Sequence, residues 1–236
     1  MGIVDKTLDL IFPPRCMICL DIMPFDGPRW LCGECIGLLE PITGAVCKRC
    51  GAPSENEVCA ECLKTGRNDS LDGNCSVFAY DDTVKRLIYN FKYLNHPEIA
   101  RGLGALLQSM DMAFLQAMDY LTYVPLHRHR HTKRGYNQAK LLAHELSKIT
   151  GVPLINILIR KKDTKPQSQL DYISRIYNME GALAVKSGHD IKSKTITVVD
   201  DIYTTGITLN ACAEALKLKG AKRVTGFTLA IALKDY

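Results

Sequence analysis

The chain has 236 residues, 47% of them hydrophobic and 23% charged, a balance that excludes global disorder and allows one large folded domain or a medium one beside a small one. Its formal net charge of +5 suits anionic ligands but is too small to imply nucleic-acid binding by itself. No apolar run approaches the roughly 18–20 residues that span a bilayer, and the acids Asp5 and Asp9 with the early Cys16 speak against a cleaved leader. The chain is expected to lack a transmembrane segment and to stay in the cytoplasm.

Eight of the ten cysteines fall before residue 63, as the Cys-x-x-Cys pairs Cys16/Cys19, Cys32/Cys35, Cys47/Cys50 and Cys59/Cys62. Two thiolates at that spacing can turn onto one tetrahedral ion at about 2.3 Å, with intervening backbone N–H groups pointing at the sulfurs. Redox dithiols occur singly beside a βαβ pattern, and iron–sulfur runs are spaced differently. Four pairs therefore supply ligands for two structural zinc ions. Sequential pairing, 16/19 with 32/35 and 47/50 with 59/62, closes the shortest loops, although spacing alone leaves interleaved pairing open. Residues 12–70 are rich in turn formers, including Pro13, Pro14, Gly44, Gly51 and Pro53, so metal ligation has to stabilise them. With every position filled by sulfur, no open site remains for catalysis at the metal. Residues 1–70 are thus expected to form a small cysteine-rich double zinc ribbon. Cys75 and Cys212 read as buried small hydrophobes.

From about residue 71 to 236 the pattern becomes α/β, with β-rich runs alternating with amphipathic helices, the mark of a parallel sheet covered by helices. Strands are expected at 75–80, 121–126, 154–159, 182–185, 195–199 and 224–233. A helical stripe runs through Val84, Leu87, Ile88, Phe91 and Leu94, and another through Ile99, Leu103, Leu106, Leu107, Met110 and Phe114. Further helices are expected over 138–149, closed by Gly151, and over 209–219, ended by Gly220. A long polar stretch from Arg160 to about Glu180 has the character of a lid.

The most informative segment is residues 195–208, TITVVDDIYTTGIT. A β-branched run leads into two acids, Asp200 and Asp201, and then into a turn, Tyr203, Thr204, Thr205, Gly206 and Thr208, that opens a helix. Backbone N–H groups at a helix start form a positive concavity, hydroxyls add donors, and glycine permits close approach, so a phosphate fits there. The acids in front can accept hydrogen bonds from the vicinal hydroxyls of a ribose. Upstream, HRHRHTKR at 127–134 carries Arg128, Arg130, Lys133 and Arg134 without an acid, and the alternating histidines among these cations read as loop residues rather than metal ligands.

The 195–208 pattern resembles the 5-phosphoribosyl-1-diphosphate (PRPP) motif of type I phosphoribosyltransferases. Other stretches narrow the resemblance to the ComF competence-protein family: Phe12-Pro13-Pro14, the helix from Tyr80 to Lys92, the block Arg134-Gly135-Tyr136-Asn137-Gln138-Ala139, and the series Arg160, Thr164, Gln167, Leu170, Arg175 and Asn178. The resemblance implies a type I phosphoribosyltransferase-like parallel-sheet domain behind the zinc ribbon. It implies PRPP, with Mg²⁺, held by Asp200, Asp201, Tyr203, Thr204, Thr205, Gly206, Thr208, Arg128 and Arg134. Arg134, Arg160 and Arg175 are the candidates for contact with the departing diphosphate, and no side chain stands out as a general base. A role in natural transformation is implied, with single-stranded DNA and the competence helicase as partners. Two functions stay open: a transferase with an unknown acceptor, and a non-catalytic PRPP- or DNA-associated module. The ribbons are expected to serve as a hood over the pocket.

Overall fold

The computed structural model describes residues 13–24, 30–65, 70–93, 99–108, 110, 112–127, 132, 135–162, 174, 177, 179 and 181–233. The cysteine-rich part is built from two turns of the same design. Cys16 N–H donates to the Asp21 carbonyl and Leu20 N–H to the Cys16 carbonyl, while Cys47 N–H donates to Ala52 and Gly51 N–H to Cys47. The residue after each second cysteine takes a left-handed conformation, Leu20 at φ 68° and Gly51 at φ 78°. At Gly51 a side chain would also collide with the Asn74 carbonyl, so glycine is required there. Two one-turn helices, α1 (Gly33–Gly37) and α2 (Ala60–Lys64), start directly after Cys32 and Cys59.

The remaining elements run β1 (Asn74–Ala79), α3 (Asp82–Tyr93), α4 (Ile99–Gln108), α5 (Ala113–Gln116), β2 (Tyr120–Tyr123), α6 (Gln138–Thr150), β3 (Leu158–Arg160), β4 (Leu183–Val185), β5 (Thr195–Tyr203), α7 (Ile207–Lys217) and β6 (Arg223–Ile231). Four strands form a parallel sheet in the order β1-β6-β5-β2. The inner strands are buried over residues 196–199 of β5 and 224–231 of β6, as a sheet covered on both faces requires. The buried hydroxyls among them pair with one another, Ser76 with Thr228 at 2.7 Å and Thr197 with Thr225 at 2.9 Å, which limits the cost of burying them. Helix α6 packs on β2 and β5, and α7 on β5 and β6. Phe78, Phe91 and Phe227 are among the largest fully buried side chains.

Several element bounds differ from the sequence reading, each for a local reason. The second strand stops at Tyr123, two residues before Pro125, which has no N–H for a ladder. The stripe from Ile99 to Phe114 divides into α4 and α5. The expected strand over 154–159 reduces to one bridge, Leu121 to Leu154, and to β3, which pairs antiparallel with β4 outside the main sheet. Strand β5 extends to Tyr203 and takes in both acids, because β6 pairs with it as far as Ile231.

The sheet's outer strands are both covered. Ile42 N–H donates to the Val77 carbonyl at 2.8 Å and Pro41 bridges Phe78, so the ribbon segment caps β1; residues 153–155 cover β2 through Leu121 N–H to Pro153 and Ile155 N–H to Leu121. Two buried asparagines complete the docking. Asn74 Nδ2 donates to the Cys50 carbonyl at 3.0 Å, and Asn90 Nδ2 donates to the Met17 and Ile18 carbonyls at 3.0 and 3.2 Å.

Candidate sugar-phosphate site and metal centres

Backbone pairing brings Asp200 level with Thr228 of β6, near the carboxyl end of the sheet where ligands of open α/β sheets bind. Asp200, Ile202 and Tyr203 through Leu209 line one concavity. Helix α7 opens there with Gly206 as N-cap at φ 72°, a residue with no side chain to cap the first N–H groups. They remain available to an anion. Gly206 is buried, and a Cβ on it would strike the Tyr203 ring, which folds against the loop. Thr204 is exposed, while Thr205 and Thr208 are half-buried.

The two acids behave differently. Asp201 forms an ion pair with Lys92 at 2.7 Å, both side chains less than one-fifth exposed. Asp200 accepts a hydrogen bond from Asp201 N–H at 2.9 Å, and its carboxyl is pushed up to about 7, first by burial and then by the neighbouring Asp201 charge, against the pull of Lys92 and Arg160. The Cys212 thiol of α7 lies close enough to feel the Asp200 charge, and burial pushes it far up. Cys212 is fully buried, as a small hydrophobe would be; Cys75 is half-buried.

Of the basic candidates, Arg160 is brought to the site, where its charge acts on Asp200 and its Nη2 meets Met179 Sδ at 3.2 Å. Arg128, Arg134 and Arg175 lie outside the described residues, as do Arg130, Lys133, Thr164, Gln167, Leu170 and Asn178. Strands β3 and β4 bracket the segment read as a lid. Beyond Arg160 opens a cavity of about 640 Å³, walled by Tyr123, Leu126 and Leu158 and edged by His127, Lys140 and Lys161, with no carboxylate among the described residues of its lining. That volume lies in the range of small-molecule pockets.

Lys92 and Asn90 were not among the site residues expected from sequence. The signal was present in Asn90, a polar residue on the apolar stripe of α3 beside Leu87 and Phe91. Lys92, at the end of a helix with buried Phe91 as its neighbour, carried no such mark.

The eight cysteines gather as two tetrads, Cys16/Cys19/Cys32/Cys35 and Cys47/Cys50/Cys59/Cys62, the sulfurs of each lying within 4.8 Å of one another. This is the sequential pairing. Sulfurs 2.3 Å from a tetrahedral zinc stand about 3.8 Å apart, and the Cys19–Cys32 and Cys50–Cys59 sulfurs are 3.9 and 3.7 Å apart. Backbone N–H groups of Cys35 and Cys59 point at the Cys32 and Cys47 sulfurs. Against burial, which raises a thiol, backbone donors bring Cys47 down to about 6 and Cys16 to about 7. The donor set, all thiolate and closed, fits zinc in a structural role.

Two family models match the chain: a double zinc ribbon domain over residues 7–63 and a phosphoribosyl transferase domain over residues 132–234. The chain is 32% identical to Competence protein ComFC of Bacillus subtilis (strain 168), over 84% of this chain and 83% of that one. The chain belongs to the ComF competence-protein family. Competence protein F of Haemophilus influenzae is 31% identical over 85% of this chain and 91% of its own length, and DNA utilization protein YhgH of Salmonella typhimurium is 30% identical over 91% and 96%. The ComF chain described here is therefore a phosphoribosyltransferase-family α/β protein with an N-terminal zinc ribbon. Among its described residues, no helix is long and apolar enough to cross a membrane.

Proposed function

We propose that this protein binds PRPP with Mg²⁺ at the carboxyl end of β5 and transfers the phosphoribosyl group to an acceptor. The reading rests above all on the conjunction of Asp200 with the uncapped start of α7 around Gly206. The 5′-phosphate would take the free N–H groups and the hydroxyls of Thr205 and Thr208, as a helix start favours negative charge. Asp200 and Asp201 would accept from the ribose hydroxyls, Asp201 while its other oxygen stays paired with Lys92. The diphosphate would lie toward Arg160 and the cavity beyond it, with Arg128, Arg134 and Arg175 supplying further positive charge. Magnesium, when bound, would neutralise diphosphate and ribose oxygens. The acceptor forms a bond to C1 as the C1–O bond to diphosphate breaks, and the diphosphate departs with the electron pair. Catalysis is then chiefly positioning and electrostatics.

We further infer that residues 1–70 form the ribbon unit and residues 71–236 the transferase unit, a division supported by family models that match residues 7–63 and 132–234. The names of its relatives, competence and DNA utilization proteins, support a role in competence; we further infer a cytoplasmic setting, with single-stranded DNA and the competence helicase as partners. The decisive experiment is calorimetric titration with Mg·PRPP, followed by assays of pyrophosphate release with candidate acceptors. Release that disappears in Asp200→Ala and Asp201→Ala supports a transferase. PRPP binding without release for any acceptor supports the binding module instead, and no heat with the native protein overturns the reading.

A further inference from the structure

Three consecutive residues at the end of α3 hold three different parts of the molecule. Asn90, 5% exposed, donates to the Met17 and Ile18 carbonyls inside the first cysteine turn. Phe91 is fully buried, and its carbonyl accepts from Tyr136 Oη at 2.7 Å and from Gln138 Nε2. Lys92 holds Asp201. The helix ends at Tyr93, and last turns fray unless something fastens them. Successive residues point about 100° apart, so Asn90 and Lys92 face nearly opposite ways, one toward the ribbon and one toward the carboxylates.

The ribbon itself is firmly seated. Met17 and Ile18 are buried, and Trp30 packs so closely on α4 that a Cβ at Gly102 would collide with it. The carbonyls that Asn90 grips lie between Cys16 and Cys19, whose geometry the first tetrad sets. The second ribbon docks elsewhere, through Asn74 at the start of β1.

We propose that the first ribbon acts on the sugar-phosphate site through α3: Asn90 is a positioning residue that fixes the helix end so that Lys92 neutralises Asp201. The ribbon is then an electrostatic support for the acids, and a disturbed first tetrad weakens the site even with β5 and α7 intact. Among the described residues, the charged and titratable groups facing Asp200 are Asp201 on its own strand, Lys92 from α3, Arg160 from β3 and the Cys212 thiol from α7. Of these only Lys92 is linked directly to the ribbon's anchor.

The test reads the Asp200 carboxyl directly, by ¹³C NMR titration of the zinc-loaded, ligand-free protein. Lys92→Met is expected to move the midpoint upward, because a cation that favours the ionised form is lost. Asn90→Ala is expected to move it in the same direction with zinc content unchanged, and so is Gly102→Ala, which pushes Trp30 and Met17 without touching α3. Asn74→Ala removes the bond to the second ribbon together with one to Ser76, leaves Lys92 and α3 untouched, and is expected to leave the midpoint in place. A midpoint unmoved in both Asn90→Ala and Gly102→Ala overturns the proposal, as does an equal shift in Asn74→Ala. Because no ligand enters the measurement, failure of Mg·PRPP to bind would remove the proposed function without touching this result.

Discussion

Replacing Gly206 by alanine perturbs the phosphate loop in two ways whose sizes follow from the structure. At φ 72° the residue is in the left-handed region, which costs an L-residue with a Cβ roughly 1–2 kcal/mol. The added methyl also meets the Tyr203 ring, and displacing a packed, 8% exposed ring costs about 1–3 kcal/mol. The sum is about 2–5 kcal/mol, a large share of the roughly 5–15 kcal/mol that stabilise a domain. Urea denaturation measures it, and a double-mutant cycle with Tyr203→Ala separates the parts, since the steric share should vanish when the ring is gone, leaving the backbone share and giving a coupling of about 1–3 kcal/mol. Mg·PRPP affinity should fall in Gly206→Ala because the ring and the loop amides no longer share the same positions. Additive energies in the cycle, or a cost below about 1 kcal/mol, would refute the claim that this glycine is imposed by the Tyr203 contact.

Asp200 has a native pKa of about 7 against an ordinary 3.8, so between those values the native protein binds more protons than the unfolded chain. Ligand-free stability should therefore fall as pH rises from about 4 to about 7 and then level off; denaturation midpoints that rise across this window would contradict the assignment. Mg·PRPP binding should run the other way, strengthening up to about ten-fold per pH unit as the carboxyl ionises below pH 7, and a flat calorimetric profile would count against Asp200 as a ribose ligand. The purified protein should carry two zinc ions per chain, each stabilising the ribbon by about 10 kcal/mol or more. Chelation should release both with loss of ribbon structure, and a single equivalent, or the visible absorbance of an iron–sulfur cluster, would reject the two-tetrad reading.

What could be read from the chain alone was local chemistry. Cysteine spacing already favours two closed thiolate sites, because two residues between thiols is a length that turns both onto one ion. The run from Thr195 to Thr208 announces a strand, a pair of acids and a helix start, because each depends on neighbours within a few positions. Period-three-and-four apolar stripes mark α3 and α6 for the same reason. Tertiary structure decided everything that joins distant segments. Only packing could choose sequential over interleaved cysteine pairing, carry β5 past Asp200 by giving it β6 as a partner, and set β3 and β4 apart from the main sheet. It also made the acids unequal, with Lys92 from 109 positions away neutralising Asp201 while Asp200 is left in a buried setting that raises its pKa. Charges act through space, and the distance between Lys92 and Asp201 is a property of the fold.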